Sequence, residues 1–359
     1  LLERKQKVVY VVGAGLSAGL GFPTIGNLLP ELWGRLEEAG SDIEIADVIR
    51  FHHPDFNADR LETYPTIEQL LSEMKANAEL FYSTRPAAGN FSSEQLEDRR
   101  ANLLQEMAIW FHDLKKAALK PKPKWLRRLV TAMREEEASI ISFNWDLVLD
   151  EMLFGSSLDK GSYGLDRRRK GPRLIKPHGS LNWYRRSAAG PIKSEKKFSL
   201  GGSGDAEVFG FRPLRAVQSS KGRQYMPLIV PPVYAKQFEG PLFQKLWQET
   251  VRALSTASEV RFLGFSLAEA DFHARFVLRC GFYNQEHGAL RSDGHRDTAT
   301  GRAKVVVVDR SSTPLPRIRG AVGWECEFHQ KDISDWVAEG GLEANRIYGA
   351  SSDTERMLT

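Results

Sequence analysis

Four segments of this 359-residue chain carry groups suited to holding a polar ligand and breaking one of its bonds. The first is Val8-Val9-Tyr10-Val11-Val12 running into Gly13-Ala14-Gly15-Leu16-Ser17-Ala18-Gly19. A buried strand that enters a glycine turn and then a helix aims free N–H groups and a positive helix end at a phosphate. In this reading Gly13 permits the tight turn and Gly15 lets a ligand approach the backbone. The spacing is G-x-G-x-x-x-G, not the usual G-x-G-x-x-G, and a tight strand–helix turn without a ligand would give the same pattern. The second segment is Asn144-Trp145-Asp146, the third Lys176-Pro177-His178-Gly179-Ser180, and the fourth Gly264-Phe265-Ser266-Leu267. His178 can serve as a base, because an imidazole pKa of about 6.5 leaves it mostly neutral at cellular pH. Asn144 either hydrogen-bonds a ligand or caps the next helix. Asp146 either bonds a ligand, buttresses its loop, or is a helix N-terminal acid. Glu269 and Asp271 read as first-turn helix acids rather than a catalytic pair. Trp145 and Trp183 read as packing groups, with the option that one walls a pocket.

These segments share one property: each follows a short apolar run. The runs are Val8–Val12, Ser139–Phe143, Arg173–Lys176 and Val260–Leu263, and Lys304–Val308 similarly ends on Asp309. A sixth run is Pro227–Val230. Sequences such as VVYVV and VVVV do not alternate with polar residues, which is how strands buried on both faces of a parallel sheet read. Helical periodicity over Gly240–Ala257 and over Ala268–Cys280 separates several runs, the latter spacing Phe272, Phe276, Val277 and Cys280 on one face. Alternating strands and helices predict an α/β fold with a Rossmann-like, doubly wound, mostly parallel sheet. In such a sheet the carboxyl ends of the strands lie along one edge, where ligands bind. Gly13–Ser17, Asn144, His178, Gly264–Ser266 and Asp309 would then line one cleft.

The interval from Leu28 to Arg134 contains no strand-like run and reads as helices, including Thr66–Ala76 and Glu94–Leu119. It predicts a helical module inserted after the first strand and helix. The expected organisation is a sheet domain from 1–27 and 135–335, the module at 28–134, and a tail at 336–359. Polar stretches at Gly155–Arg173, Ser187–Glu207 and Asn284–Arg302 read as loops, and Arg167-Arg168-Arg169-Lys170 as a solvated basic run that can also meet phosphate or an acidic partner.

Composition narrows the function classes. A net charge of +4 is too mild to imply nucleic-acid binding. Two cysteines, Cys280 and Cys326, cannot build a four-cysteine zinc site or a disulfide framework, and a reducing cytoplasmic setting is the simplest reading. His52, His53 and His112 lack metal-ligand spacing, so no metal is expected. No stretch approaches the roughly 18 apolar residues of a membrane span.

Taken in order, GAGLSAGLGFP (Gly13–Pro23), FNWD (Phe143–Asp146), KPHGS (Lys176–Ser180) and GFSL (Gly264–Leu267) resemble the motifs of the SIR2-like, sirtuin-related family. The resemblance implies NAD as substrate. It implies that Gly13, Ala14, Gly15 and Ser17, with Pro23 at the end of the motif, cradle the dinucleotide. It places Asn144 and Asp146 at the nicotinamide ribose, His178 as the base, Gly264 and Ser266 along the dinucleotide, and Asp309 near its adenosine end. The chain departs from protein-deacylating sirtuins in two ways. It cannot hold their zinc module, and Thr24-Ile25-Gly26-Asn27 stands where a Phe-Arg pair is usual. Both departures favour the branch that cleaves NAD itself, often in bacterial anti-phage defence.

The expected reaction breaks the nicotinamide–ribose bond. Nicotinamide leaves neutral from a cationic ring, so one base suffices where an ordinary glycoside needs two carboxylates. The other readings are an NAD or ADP-ribose sensing module without turnover, and a protein deacylase or ADP-ribosyl transferase. An NAD-consuming effector must be restrained until needed, which predicts a homo-oligomer or a partner protein. Family relatives point to an ATPase of the HerA class, with the inserted helices as a contact surface.

Overall fold

The structure, a computed structural model, describes residues 7–80, 91–166, 168–185, 196–201, 206–211, 227–230, 240–269 and 271–343. Arg167 of the basic run, Gly202–Gly204 and most of the polar stretch before Glu207, and the tail beyond residue 343 lie outside the described residues.

Strand β1 (Val8–Val12) leads into one helical turn, α1 (Ala14–Ala18). Five helices follow: α2 (Ile25–Glu38), α3 (Asp42–His52), α4 (Ile67–Leu80), α5 (Ser93–Ala118) and α6 (Lys124–Glu135). Next come β2 (Ser139–Ser142), α7 (Val148–Phe154) and β3 (Arg173–Ile175). Four strands then run in succession: β4 (Gly179–Arg185), β5 (Lys196–Leu200), β6 (Ala206–Phe209) and β7 (Pro227–Ile229). The chain continues through α8 (Gly240–Ser255), β8 (Glu259–Leu263), α9 (Phe272–His287), β9 (Lys304–Asp309), α10 (Leu315–Val322), β10 (Glu327–Gln330) and α11 (Ile333–Ala338).

Six strands form one parallel sheet in the order β3-β2-β1-β8-β9-β10. Renumbered by appearance within the sheet this is 3-2-1-4-5-6, the doubly wound order of dinucleotide-binding Rossmann folds. The expected α/β, Rossmann-like architecture is therefore present. All five residues of β1 are buried, as a strand covered by helices on both faces must be. The order in which strands are added reverses between β1 and β8. Val12 is in register with Ser142 on one side and Leu263 on the other, so the carboxyl ends of β2, β1 and β8 are level.

Helices α2 to α5 occupy the connection between β1 and β2 and pack on one another. The α2 helix buries Leu28, Leu29, Leu32, Trp33 and Leu36 on one face, and α5 opens with a capping box from Ser92 to Gln95. Helix α6 instead packs against α7 and α11. We propose that the inserted module ends before α6, and that α6 belongs to the layer flanking the sheet.

Three features differ from the sequence expectation. Strands β5-β6-β4-β7 make a separate antiparallel sheet. The run at Pro227–Val230 thus joins β4 rather than the parallel sheet, and the expected loop before Glu207 contains β5. Strand β4, Gly-Ser-Leu-Asn-Trp-Tyr-Arg, mixes residue types without alternation, yet Gly179 to Tyr184 are all buried. Tertiary cover, not strand propensity, decides it. Strand β10 is a half-exposed polar edge, which no apolar run announces. Finally, α9 starts at Phe272, not Ala268, because Leu267 takes a left-handed φ of 47° and Asp271 caps the helix. Its buried face is Ala274, Val277, Leu278, Gly281 and Phe282, while Phe272 and Phe276 are 53% and 56% exposed. The helix runs on to His287, so Asn284–His287 are not loop.

Candidate functional site

The strand ends around the β1–β8 reversal enclose a cleft with a cavity volume of about 90 Å³. Gly13, Ala14 and Ser17 form one side, Asn144, Trp145 and Asp146 a second, His178 and Asp271 a third, and Phe265 to Ala268 a fourth. Phe22, Pro23, Ile25, Leu28, Glu68 and Phe111 close it from the direction of α2, α4 and α5. Of the residues singled out in sequence, Gly13, Ala14, Ser17, Pro23, Asn144, Asp146, His178 and Ser266 line this cleft. Trp145, whose residue type suggests packing, lines it too, whereas Trp183 is fully buried against Tyr163 at 4.8 Å.

Gly15 and Gly264 do not line the cleft; they make it possible. A Cβ on Gly15 would lie 2.7 Å from the Gly264 Cα, and one on Gly264 would lie 2.6 Å from the Gly15 carbonyl carbon. The Gly15 amide donates to the Gly264 carbonyl at 2.9 Å, and the Gly13 amide to the Leu263 carbonyl at 3.2 Å. The two loops thus touch backbone to backbone. The missing side chain of Gly15 admits the β8 loop. The helix after the turn is a single turn whose Leu16 amide already bonds the Gly13 carbonyl. Its dipole has little length over which to build. Asp309 sits at the end of β9 away from the cleft lining, and its Oδ1 accepts from the Ser311 amide at 2.9 Å.

A hydrogen-bonded chain joins the first two segments. The Asn144 side-chain amide donates to the Gly13 carbonyl at 2.9 Å and to Ser17 Oγ at 3.0 Å. Ser17 Oγ donates in turn to Asp146 Oδ2 at 2.6 Å, and the Val148 amide donates to Asp146 Oδ1 at 2.9 Å. Asn144 is half-buried, and among the described residues no donor meets its Oδ1. Asp146 is buried and both its oxygens are engaged within the chain, which supports its buttressing role over contact with a ligand. Burial pushes its carboxyl above the usual carboxylate range, against the opposing pull of Lys176, the Ser17 hydroxyl and the Val148 amide.

Lys176 lies directly beneath. Its ammonium is fully buried and donates to the Asp146 carbonyl at 2.7 Å, to Asp150 Oδ2 at 3.0 Å and to Ser180 Oγ at 2.8 Å. Three donors meet three acceptors, the condition for a buried ammonium to be tolerated. Asp150 also accepts from the Tyr163 hydroxyl at 2.8 Å. Lys176 therefore ties the Asn144–Asp146 loop, α7 and the His178 turn together.

His178 occupies the short link between β3 of the parallel sheet and β4 of the antiparallel one. Gly179 beside it has φ +79°, and a Cβ there would stand 2.1 Å from the Leu228 carbonyl oxygen. Only glycine fits that position. The imidazole is buried, with the Phe143 ring edge-on at 4.9 Å and Trp247 at 5.8 Å. Phe143 stacks on Phe265 at 4.7 Å, so the imidazole is set in an aromatic wall. His178 Nε2 lies 3.0 Å from Asp271 Oδ2, both side chains almost wholly buried. Asp271 Oδ1 accepts from the Ala274 amide at 3.1 Å. The sequence pattern marks Asp271 as a helix acid; it is the cap of α9 and also the partner of His178. The expected first-turn acids thus lie elsewhere, Asp271 at the cap and Glu269 before the helix, and the pairing with His178 spans distant chain segments and carried no local signal.

Among the described residues no group of three or more His, Cys, Asp or Glu is arranged to hold a metal ion. No helix among them is long and apolar enough to cross a membrane.

The fold and cleft define a Rossmann-like α/β protein with its ligand cleft at the strand reversal. No protein-family profile matches the chain, and no curated protein matches it. Among solved structures it is similar to a Sir2 homologue in complex with 2′-O-acetyl-ADP-ribose, at 14% identity and a TM-score of 0.47, covering 96% of this chain and 93% of that one. It is also similar to a Sir2 homologue in complex with NAD, at 13% identity and a TM-score of 0.43, covering 93% and 87%. A third is Sir2Tm bound to a propionylated peptide, at 17% identity and a TM-score of 0.43, covering 96% of each chain.

Proposed function

We propose that this protein is an NAD-cleaving enzyme of the SIR2-like type, hydrolysing the bond between nicotinamide and ribose. The observation that carries the reading is convergence. Segments far apart in sequence, each matching a SIR2-like motif, bring Asn144, Ser17 and His178 to one cleft at the strand reversal. The cleft is smaller than the roughly 300–1,000 Å³ of a pocket that encloses a whole drug-sized ligand. In this reading the cleft receives the nicotinamide end, with the remainder of NAD lying across the turn at Gly13–Ser17 and the loop at Ser266.

The chemistry follows from the groups present. Asn144 Oδ1 accepts from a ribose hydroxyl or from the attacking water. The aromatic wall of Phe143 and Phe265 excludes bulk water and strengthens the local electrostatics. A water molecule gives one proton to His178 while its oxygen bonds to ribose C1′. The C1′–nitrogen bond breaks with its electron pair passing to the ring, which leaves as neutral nicotinamide. ADP-ribose and the proton held by His178 complete the balance. Gly264 acts by admitting the β1 turn, and Asp146 by fixing Ser17. The more distant Asp309 is proposed only to meet the adenosine end.

NAD hydrolysis needs restraint, and we propose control through assembly in the cytoplasm. The assembly is either a homo-oligomer or a complex with a partner ATPase of the HerA class, with α2–α5 as the contact face and defence against phage as the context. The deciding experiment incubates the purified chain with NAD, alone and with the product of its neighbouring gene, and follows nicotinamide by chromatography. Release of nicotinamide with ADP-ribose supports the reading. Tight NAD binding without release in either condition replaces it with a sensing module.

A further inference from the structure

We propose that Asp271 is the positioning residue of the base. It holds His178 with the proton on Nε2, leaves the ring's lone pair on Nδ1, and steadies the imidazolium formed when Nδ1 takes a proton. The proposal rests on the NAD-cleaving reading for its kinetic consequences and on geometry for its existence.

The geometry is specific. Asp271 divides its two oxygens between two jobs: Oδ1 receives the Ala274 amide and Oδ2 faces His178 Nε2 at 3.0 Å. We take Asp271 as the carboxylate, seated at the amino end of the 16-residue helix α9. A carboxylate is only an acceptor, so the nitrogen facing it carries hydrogen. A neutral imidazole with hydrogen on Nε2 has its lone pair on Nδ1. When Nδ1 accepts a proton the ring becomes a cation, and Asp271 is the buried countercharge already in place. Aspartate orients and stabilises the histidine of serine hydrolases in the same way. Among the described residues the other ionisable groups around the cleft are Asp146 and Lys176, joined through the buried network, Glu68, and His273, whose ring lies 6.5 Å from that of Trp247. Among the described residues Asp271 is the carboxylate at ion-pair distance from the ring.

The pairing also explains a sequence choice. Serine, threonine, asparagine and aspartate all cap helices well, so a cap alone does not require a carboxylate. The His178 contact does.

The test is Asp271→Asn in the full chain. Asparagine caps α9 as well as aspartate does, so the fold and melting temperature are retained. We expect kcat to fall about 10²–10⁴-fold with KM nearly unchanged, the range seen when a base loses its charged orienting partner. We also expect the acidic limb of the kcat profile to move to lower pH, because an imidazole without its carboxylate protonates less readily. A role confined to helix capping would move neither. Unchanged kcat and an unmoved limb overturn the proposal. Nitrogen-15 NMR of ring-labelled histidine, assigned with His178→Gln, reads the tautomer directly and needs no turnover. Hydrogen on Nε2 in the wild type, lost or mixed in Asp271→Asn, supports the pairing even if NAD is not cleaved. The same tautomer mixture in both proteins overturns it.

Discussion

Lys176 and Asp150 face each other at 3.0 Å beneath the cleft, with side chains 0% and 1% exposed. Neither touches the space where a ligand would sit, yet the loop bearing Asn144 and the turn bearing His178 both hang from them. Removing one partner of such a pair strands the other charge, at a cost of about 3–5 kcal/mol, whereas removing both in an apolar exchange costs far less. Lys176→Met should therefore lower the urea midpoint more than Lys176→Met combined with Asp150→Leu. A double variant less stable than the single one would contradict this, as would a single variant of wild-type stability.

Asn144 and His178 should behave as one unit. Each alanine substitution alone is expected to reduce nicotinamide release by about 10²–10⁴-fold, with the double variant little worse than either. Circular dichroism should show a retained fold in both, with a lowered melting temperature in His178→Ala, which leaves the buried Asp271 side chain without its partner. Full activity in both single variants would remove the proposed mechanism.

Gly179 gives a test of position without chemistry. An alanine there meets the Leu228 carbonyl at 2.1 Å and must adopt φ +79°. Displacement of the turn is expected to cost about 1–3 kcal/mol and to depress turnover by moving His178. Gly34, inside α2 with open space around it, is the control. Gly34→Ala should leave activity unchanged and add about 0.5–1 kcal/mol of stability. Thermal melts and turnover measured side by side decide it.

Asp146 predicts a pH dependence with a definite sign. Its folded-state pKa is raised, chiefly by burial. A raised carboxyl lends its full stabilisation below the ordinary value of 3.8, and that contribution is lost as pH rises through the folded value. The urea midpoint of the wild type, relative to Asp146→Asn, should therefore fall as pH climbs from about 4 toward neutrality. A difference independent of pH would show that Asp146 is not strained by burial.

The parallel sheet was legible because strands covered on both faces read as unbroken β-branched runs. Val8–Val12 and Lys304–Val308 could be little else. The cleft was legible for a related reason: polar residues placed just past such runs must gather at one sheet edge, which is where Asn144 and His178 meet. The antiparallel sheet was not legible, since β4 is buried by its neighbours rather than by its composition. Two further roles were hidden by ambiguity in residue type. Lys176 ends an apolar run, and nothing local announces the three acceptors around it. Asp271 reads as a first-turn helix acid; it is the cap of α9, and the sequence holds no sign that its second oxygen is used elsewhere. The glycines were found, but their contact with each other was not legible, because a missing side chain looks the same whether a ligand or another loop fills the space.

The two halves of the cleft come from different parts of the chain. Asn144 and His178 stand just past β2 and β3, while Phe22, Ile25, Leu28, Glu68 and Phe111 belong to the connection between β1 and β2. Beyond α1, which carries Ser17, such a connection can lengthen, shorten or be replaced without altering the register that sets β1 level with β2. What enters the cleft and what happens inside it are thus separately adjustable by mutation. Selectivity can drift in lineages whose reaction stays fixed, and swapping residues 20–118 between relatives would move one trait without the other.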